Sequence, residues 1–218
     1  MVKQICKFCN ESFGVRKMDD HLPQCILKHN IDDAGYLIEF TSHSCVTNKT
    51  YSLYAIFGAN CKFSHIDKFL KQHWCNCDCG HKTTLDVYLD FDEEINVKQL
   101  QKIVGFSSLI SKYDNSYEFC YCYDMKTTTT VYFRIIGELL NTNNDEPNTT
   151  IKLIYQNDPF ILKCNCKCKY KKNAILISTS DGYLLCDECS KNTDKYDKEY
   201  LSFLSPITNT PRVGICGC

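Results

Sequence analysis

The chain has 218 residues and a formal net charge of −1, which gives no global electrostatic basis for binding nucleic acid or a membrane surface. No apolar run approaches the ~20 residues of a membrane helix, and the opening MVKQICKFCN lacks the apolar core of a secretory signal. The expectation is an intracellular protein, cytoplasmic or nuclear, without a membrane partner, built as one mid-sized domain plus small satellites.

Seventeen cysteines is a heavy load for this length. Fifteen of them fall in tight groups: Cys6, Cys9 and Cys25; Cys75, Cys77 and Cys79; Cys120 and Cys122; Cys164, Cys166 and Cys168; Cys186 and Cys189; Cys216 and Cys218. Neighbouring thiolates in CxC and CxxC can reach one ion. Disulfide scaffolds are usually short and secreted, so zinc is favoured over disulfides.

Residues 1–26 read as a finger. CKFCNESFGVRKMDDHLPQC offers Cys6, Cys9, His21 and Cys25 at the spacing C-x2-C-x11-H-x3-C. C-x2-C makes a knuckle that presents two thiolates. H-x3-C places two ligands one turn apart on a short helix. Together they complete a closed tetrahedral set, as structural zinc requires. Phe13 and Met18 supply a small core, and a unit this size leans on the metal for its folding energy. The stretch resembles C2HC-type fingers. It is also similar to ubiquitin-binding zinc fingers of DNA-repair proteins, which share the ending seen here as HLPQC. Lys3, Lys7, Arg16 and Lys17 give a basic tint, read first as a solvated face and second as a phosphate contact.

Residues 27–35 read as a polar linker. GYLIEFTS and YSLYAIFG then alternate in the manner of strands. Ser64 and Asp67 suggest a capping box, followed by Ile66, Phe69, Leu70 and Trp74 on one helical face. KTTLDVYLDF reads as a strand, and NVKQLQKIVG as a short helix. YEFCYCYDM and TTTTVYFRIIGEL read as two strands joined by a turn at Asp124–Thr129. The polar NTNNDEPNTT, 141–150, separates the central segment 36–140 from a cysteine-rich module, 151–218.

That last module has the form of a zinc ribbon packing on the central domain. Cys186 and Cys189 form one C-x2-C. Cys164, Cys166 and Cys168 offer three thiols for two places; Cys164 with Cys168 is preferred, and Cys166 can replace either. AILIS and DGYLL suggest a hairpin turning at Asp181-Gly182. The basic KCKYKK run reads as solvated surface, with a nucleic-acid patch as the alternative. Nothing fixes a role for Cys216 and Cys218.

HWCNCDCGHKTT raises a third site, Cys75, Cys77, Cys79 and His81 with Cys120 and Cys122. Alternate residues of a strand share a face. Cys120 and Cys122 would thus lie opposite Phe119, Tyr121 and Tyr123, and the two thiol groups meet only if their strands are neighbours. A structural turn with free thiols is the favoured reading, so two zinc ions are expected and a third is the alternative.

Three stretches carry a resemblance over nearly the whole chain. FSHIDKFLKQHWCNCDCGH is similar to a helix ending in Trp and a Cys-Cys-Gly-His turn. YEFCYCYDMKTTTTVYFRIIGE is similar to an aromatic hairpin, and SFLSPITNTPRVGICGC to a Pro-Arg-x-Gly-x-Cys-Gly ending. In these the chain resembles the plasmid ORF-three-like family, which also occurs as a passenger protein of insertion elements. The usual glycine of the hairpin turn is missing from Asp124-Met125-Lys126-Thr127, and the Cys-Cys-Gly-His turn gains a residue. The resemblance implies an α+β fold, a curved and mainly antiparallel sheet packed by helices and flanked by a finger and a ribbon. It implies no established activity.

Enzyme chemistry finds little support. Cys77 or Cys79 near His81 is the one local nucleophile–base pair, without an activating third group. Asp90, Asp92, Glu93 and Glu94 read as a solvated strand end. No phosphate loop, HExxH or GxSxG is present. The favoured expectation is a zinc-binding interaction protein that binds protein or nucleic acid through its finger modules. The alternatives are a ubiquitin-type reader or an enzyme built on the central domain.

Overall fold

The computed structural model describes residues 3–29, 33–75, 83–89, 102–123, 129–140, 149–166, 172–178, 181–191 and 202–213. It opens with a hairpin, β1 (Lys3–Ile5) and β2 (Ser12–Gly14), and a helix, α1 (Val15–His29). The main sheet follows: β3 (Gly35–Ser44), β4 (Lys49–Phe57), β5 (Thr83–Leu89), β6 (Lys102–Ile103), β7 (Tyr117–Tyr123), β8 (Thr129–Leu139) and β9 (Ile151–Gln156). Its order is β6-β5-β7-β8-β3-β4-β9 with every pair antiparallel. The expected α+β class with an antiparallel sheet is what forms.

Alternation gives this sheet two faces. On one, a row runs across neighbouring strands: Phe119 opposite Phe133, Phe133 opposite Phe40, and Phe40 opposite Leu53. The Phe119 and Phe133 rings stack at 4.8 Å, and Phe40 lies 5.3 Å from Phe133. Aromatic pairs of this kind add about 0.5–1.5 kcal/mol each beyond their area. Helix α2 (Phe63–Leu70) covers the row and passes into a π turn, Lys71–Cys75. Ile66, Phe69, Leu70 and Trp74 are buried, as their spacing foretold.

The cap of α2 differs from expectation. The helix starts at Phe63, one residue before Ser64. The Lys62 backbone N–H donates to His65 Nδ1 at 3.0 Å. Asp67 is free of capping duty and instead accepts from the Tyr121 hydroxyl (2.7 Å) and Thr83 Oγ1 (3.1 Å), while pairing with Lys71 (2.9 Å). Part of NVKQLQKIVG also departs from the helix expected of it: Lys102–Ile103 is a strand, held by pairing with Val87 and Asp86. Its residues 96–101, with the Asp124–Thr128 turn and the carboxylates at 90–94, contain positions outside the described residues.

The opposite face receives α1. Met18, Leu22 and Ile26 pack on Leu37, Tyr54, Ile56 and Leu139. Two β-bulges enlarge this contact. Ile136 is the extra residue where β8 shifts register against β3, and Ile154 is the extra residue where β9 shifts against β4. Both side chains join the apolar patch under α1. A bulge turns a residue out of the alternation that pairing would impose. The helix therefore extends past residue 26, and the expected linker begins inside it. The finger shares its core with the sheet.

The last module holds β10 (Leu176–Ser178), β11 (Leu184–Leu185), helix α3 (Asp187–Ser190) and β12 (Leu204–Pro206), in sheet order β11-β10-β12. The hairpin at Asp181-Gly182 is present: Gly182 has φ +72° and Asp181 Oδ1 accepts from the Tyr183 N–H at 3.0 Å. The module is tied to the central domain. Gln156 Nε2 donates to the Asn209 carbonyl (2.6 Å), Asn209 Nδ2 donates to the Asn157 carbonyl (2.7 Å), and the Arg212 guanidinium lies 5.1 Å from the Tyr123 ring centre.

Candidate metal centres

The first centre is assembled by the hairpin and α1. The Cys6 N–H donates to the Glu11 carbonyl and the Asn10 N–H donates to the Cys6 carbonyl, both at 2.9 Å. Asn10 turns the knuckle at φ 62°, a left-handed conformation that Asn tolerates. This brings Cys6 and Cys9 to the same side. His21 and Cys25 arrive from α1, one turn apart. The four ligand atoms lie within 4.8 Å of one another.

The spacings suit zinc. A tetrahedral ion with Zn–S of about 2.3 Å holds two sulfurs about 3.8 Å apart. Cys6 Sγ and Cys25 Sγ are 3.7 Å apart, and Cys9 Sγ is 3.3 Å from His21 Nε2. Phe13 stacks on the His21 ring, centroids 4.0 Å apart, and fixes its plane. The electrostatics prepare the site unevenly. Burial works against a charged Cys6, but the Cys9 and Phe8 amides and the His21 and Cys25 side chains outweigh it and bring the thiol down to about 7. Burial, then Cys6 and Cys9, push Cys25 up to about 12. One thiol is poised to ionise, and the cation must draw the proton from the other.

The second centre joins Cys164, Cys166, Cys186 and Cys189, again with ligand atoms within 4.8 Å. Cys186 is the N-cap of α3, and the single turn returns Cys189 to it. The Cys186 N–H donates to Cys164 Sγ at 3.3 Å. Asn165 sets the other arm: its N–H donates to the Leu184 carbonyl (2.8 Å), and its Oδ1 accepts from the Leu184 N–H (2.5 Å). Because Asn165 is clamped on both sides to β11, the flanking Cys164 and Cys166 face the knuckle together. Cys166 hydrogen bonding, then burial, push the Cys189 thiol well above its ordinary range.

Among the described residues Cys164 and Cys166 complete four ligands with Cys186 and Cys189, the arrangement in which Cys166 takes one of the two places. The preferred pairing of Cys164 with Cys168 falls outside the described residues, as do Cys216 and Cys218. Asn165 carries a positioning role that sequence reading missed. Its signal was an amide residue between two ligands, on a spacing too short for a conventional C-x2-C arm.

The third group does not assemble among the described residues. β5 and β7 are indeed neighbours, with Thr84 opposite Cys122 and Asp86 opposite Cys120. Phe119, Tyr121 and Tyr123 belong to the core under α2, and Cys120 and Cys122 alternate with them. Cys75, however, is buried within that same aromatic core. The sheet therefore separates Cys75 from Cys120 and Cys122. Cys77, Cys79 and His81 lie outside the described residues.

Both groups offer four protein ligands to one ion, and closed sets of that kind are structural. Zinc bound there would fix the knuckles to their helices and supply folding free energy. No protein-family model, curated protein or solved structure matches the chain.

Proposed function

We propose that this chain is an intracellular, zinc-stabilised interaction protein that recognises protein or nucleic acid through its two metal-braced modules. The observation that carries the reading is the pair of closed four-ligand centres. The first braces its unit against the central sheet, and the second holds the knuckle of the last module together. Neither leaves the fourth position that a catalytic metal gives to water or substrate.

The resemblance to plasmid ORF-three-like proteins adds a link to mobile elements, as part of the same proposal. A ubiquitin-type reader acting through α1 is less well supported. Met18, Leu22 and Ile26 are buried against the sheet, and the free side of the helix carries Lys17, Asp20, Gln24 and Lys28, all exposed.

Elemental analysis of the purified chain tests the metal reading, with two zinc ions per chain expected. None would overturn it. The intact chain used as bait, with ubiquitin, RNA and DNA as competitors, tests the interaction reading. Failure to retain any partner in physiological salt would overturn that.

A further inference from the structure

A cavity of about 730 Å³ runs between the first module and the chain leaving β9. Five consecutive residues, 3–7, line it on one side. Successive side chains of a strand point to opposite faces, so Lys3, Gln4 and Ile5 together line it with the edge of β1, and Cys6 and Lys7 continue the wall into the knuckle.

The ladder shows that this edge is open. Cys6 exchanges main-chain bonds toward β2 through its N–H to Glu11. In an antiparallel pair such bonds recur at alternate residues, so Gln4 bonds Phe13, its register partner. Lys3 and Ile5 then direct their main-chain N–H and C=O groups away from β2. Among the described residues nothing bonds them, and Ile5 is 68% exposed.

The far wall presents Tyr155, Phe160 and Ile161, the last 72% exposed. The charge at the rim is positive. Lys7 is paired with Asp158 at 2.7 Å. Lys3 and Lys49 line the same groove without a carboxylate partner among the described residues, Lys49 lying 6.0 Å from the Phe160 ring centre.

We propose that this groove binds an extended acidic peptide, which adds to β1 as a third strand. Main-chain bonds to Lys3 and Ile5 would supply affinity. Alternate apolar side chains would fill the Tyr155–Ile161 wall, and alternate carboxylates would meet Lys3 and Lys49. The three residues of β1 span about 10 Å of strand. The apolar wall and the open main-chain edge favour a peptide over nucleic acid. The inference deepens the interaction reading by naming one surface and the chemistry of its partner.

The test is fluorescence polarisation of the zinc-loaded full chain with a labelled ten-residue peptide of alternating Glu and Val. A Lys-for-Glu counterpart is the control. The acidic peptide should bind saturably and the basic one should not. Lys3→Glu with Lys49→Glu should weaken binding at least tenfold. Ile5→Pro removes only an outward N–H, since that amide lies off the β2 ladder, and should weaken it similarly with two zinc ions retained. Equal binding of both peptides overturns the proposal, as does indifference to the lysine pair, which leaves the backbone untouched. Displacement of the peptide by a ten-nucleotide oligothymidine, or concentration-dependent dimerisation of the chain itself, overturns the peptide assignment. If lysate partners persist on the lysine variant, the groove falls while the wider interaction reading stands.

Discussion

The Tyr121 hydroxyl donates to Asp67 Oδ1 across 2.7 Å, and so fastens the middle of β7 to α2. The pair sits at the boundary of the aromatic core. Tyr121 is fully buried, and burial with Asp67 beside it raises its phenol well above the ordinary range. Tyr121→Phe should cost about 1–2 kcal/mol, because Asp67 keeps Thr83 and Lys71 as partners. Asp67→Ala should cost more, since it orphans a buried hydroxyl. Urea denaturation of both variants and the double variant measures the coupling, and additive losses would show that the bond contributes nothing.

The two centres should lose metal independently. Cys25→Ser should lower zinc from two ions to one, and Cys166→Ser should do the same. Cys168→Ser should keep both ions, because Cys164, Cys166, Cys186 and Cys189 already make a complete set. Elemental analysis after dialysis reads all three. A full complement on Cys166→Ser with loss on Cys168→Ser would reverse the ligand assignment.

Gly35 begins β3 at φ +138°, and a Cβ there would stand 2.2 Å from the Phe57 carbonyl oxygen. The obstacle is backbone in the adjacent strand, which cannot swing aside. Gly35→Ala should destabilise by about 1–3 kcal/mol from backbone strain alone, with the steric contact adding to it. The urea midpoint of the zinc-loaded protein checks this, and a loss within error would show that the strand start relaxes freely.

Alkaline solution should weaken the central domain. Burial pushes the Cys61 thiol up to about 11, and burial with Cys122 beside it pushes Cys120 up to about 12, from an ordinary 9.0. Above pH 9 the unfolded chain releases these protons while the native state keeps them. Stability therefore falls as pH rises from about 9 toward 11. Urea midpoints at pH 8 and pH 10 should differ in that direction. Cys61→Ala should show a shallower fall, by up to one proton, and an unchanged slope would remove Cys61 as a cause.

Much of this was legible in the amino-acid order, for identifiable reasons. The finger ligands were readable because a knuckle and one helical turn are local geometries with fixed spacings. The strands around Phe40, Phe119 and Phe133 were readable because period-two burial is imposed by the backbone. The placement of Cys164 and Cys166 beside the second knuckle was not, because it depends on Asn165 gripping Leu184 of β11, a contact between residues far apart in the chain. The bulges at Ile136 and Ile154 were hidden for a related reason: an extra residue in a ladder leaves no mark until its partner strand is known. The helix cap sits at Lys62 rather than Ser64, with His65 accepting its N–H, while Asp67 is engaged by Tyr121, 54 positions away.

The seat of α1 on the sheet has a consequence for synthesis. The finger's ligands are complete once Cys25 is made, but the surface that covers Ile26 is finished only when β8 and β9 have been added, some 130 residues later. At ordinary ribosomal rates that interval is on the order of ten seconds. Throughout it a finger closed by a metal at Cys6, Cys9, His21 and Cys25 would present Met18, Leu22 and Ile26 to solvent. The nascent chain is thus at its stickiest after its first metal is bound and before its sheet exists, and a chaperone that shields this one helix would have a defined window in which to act.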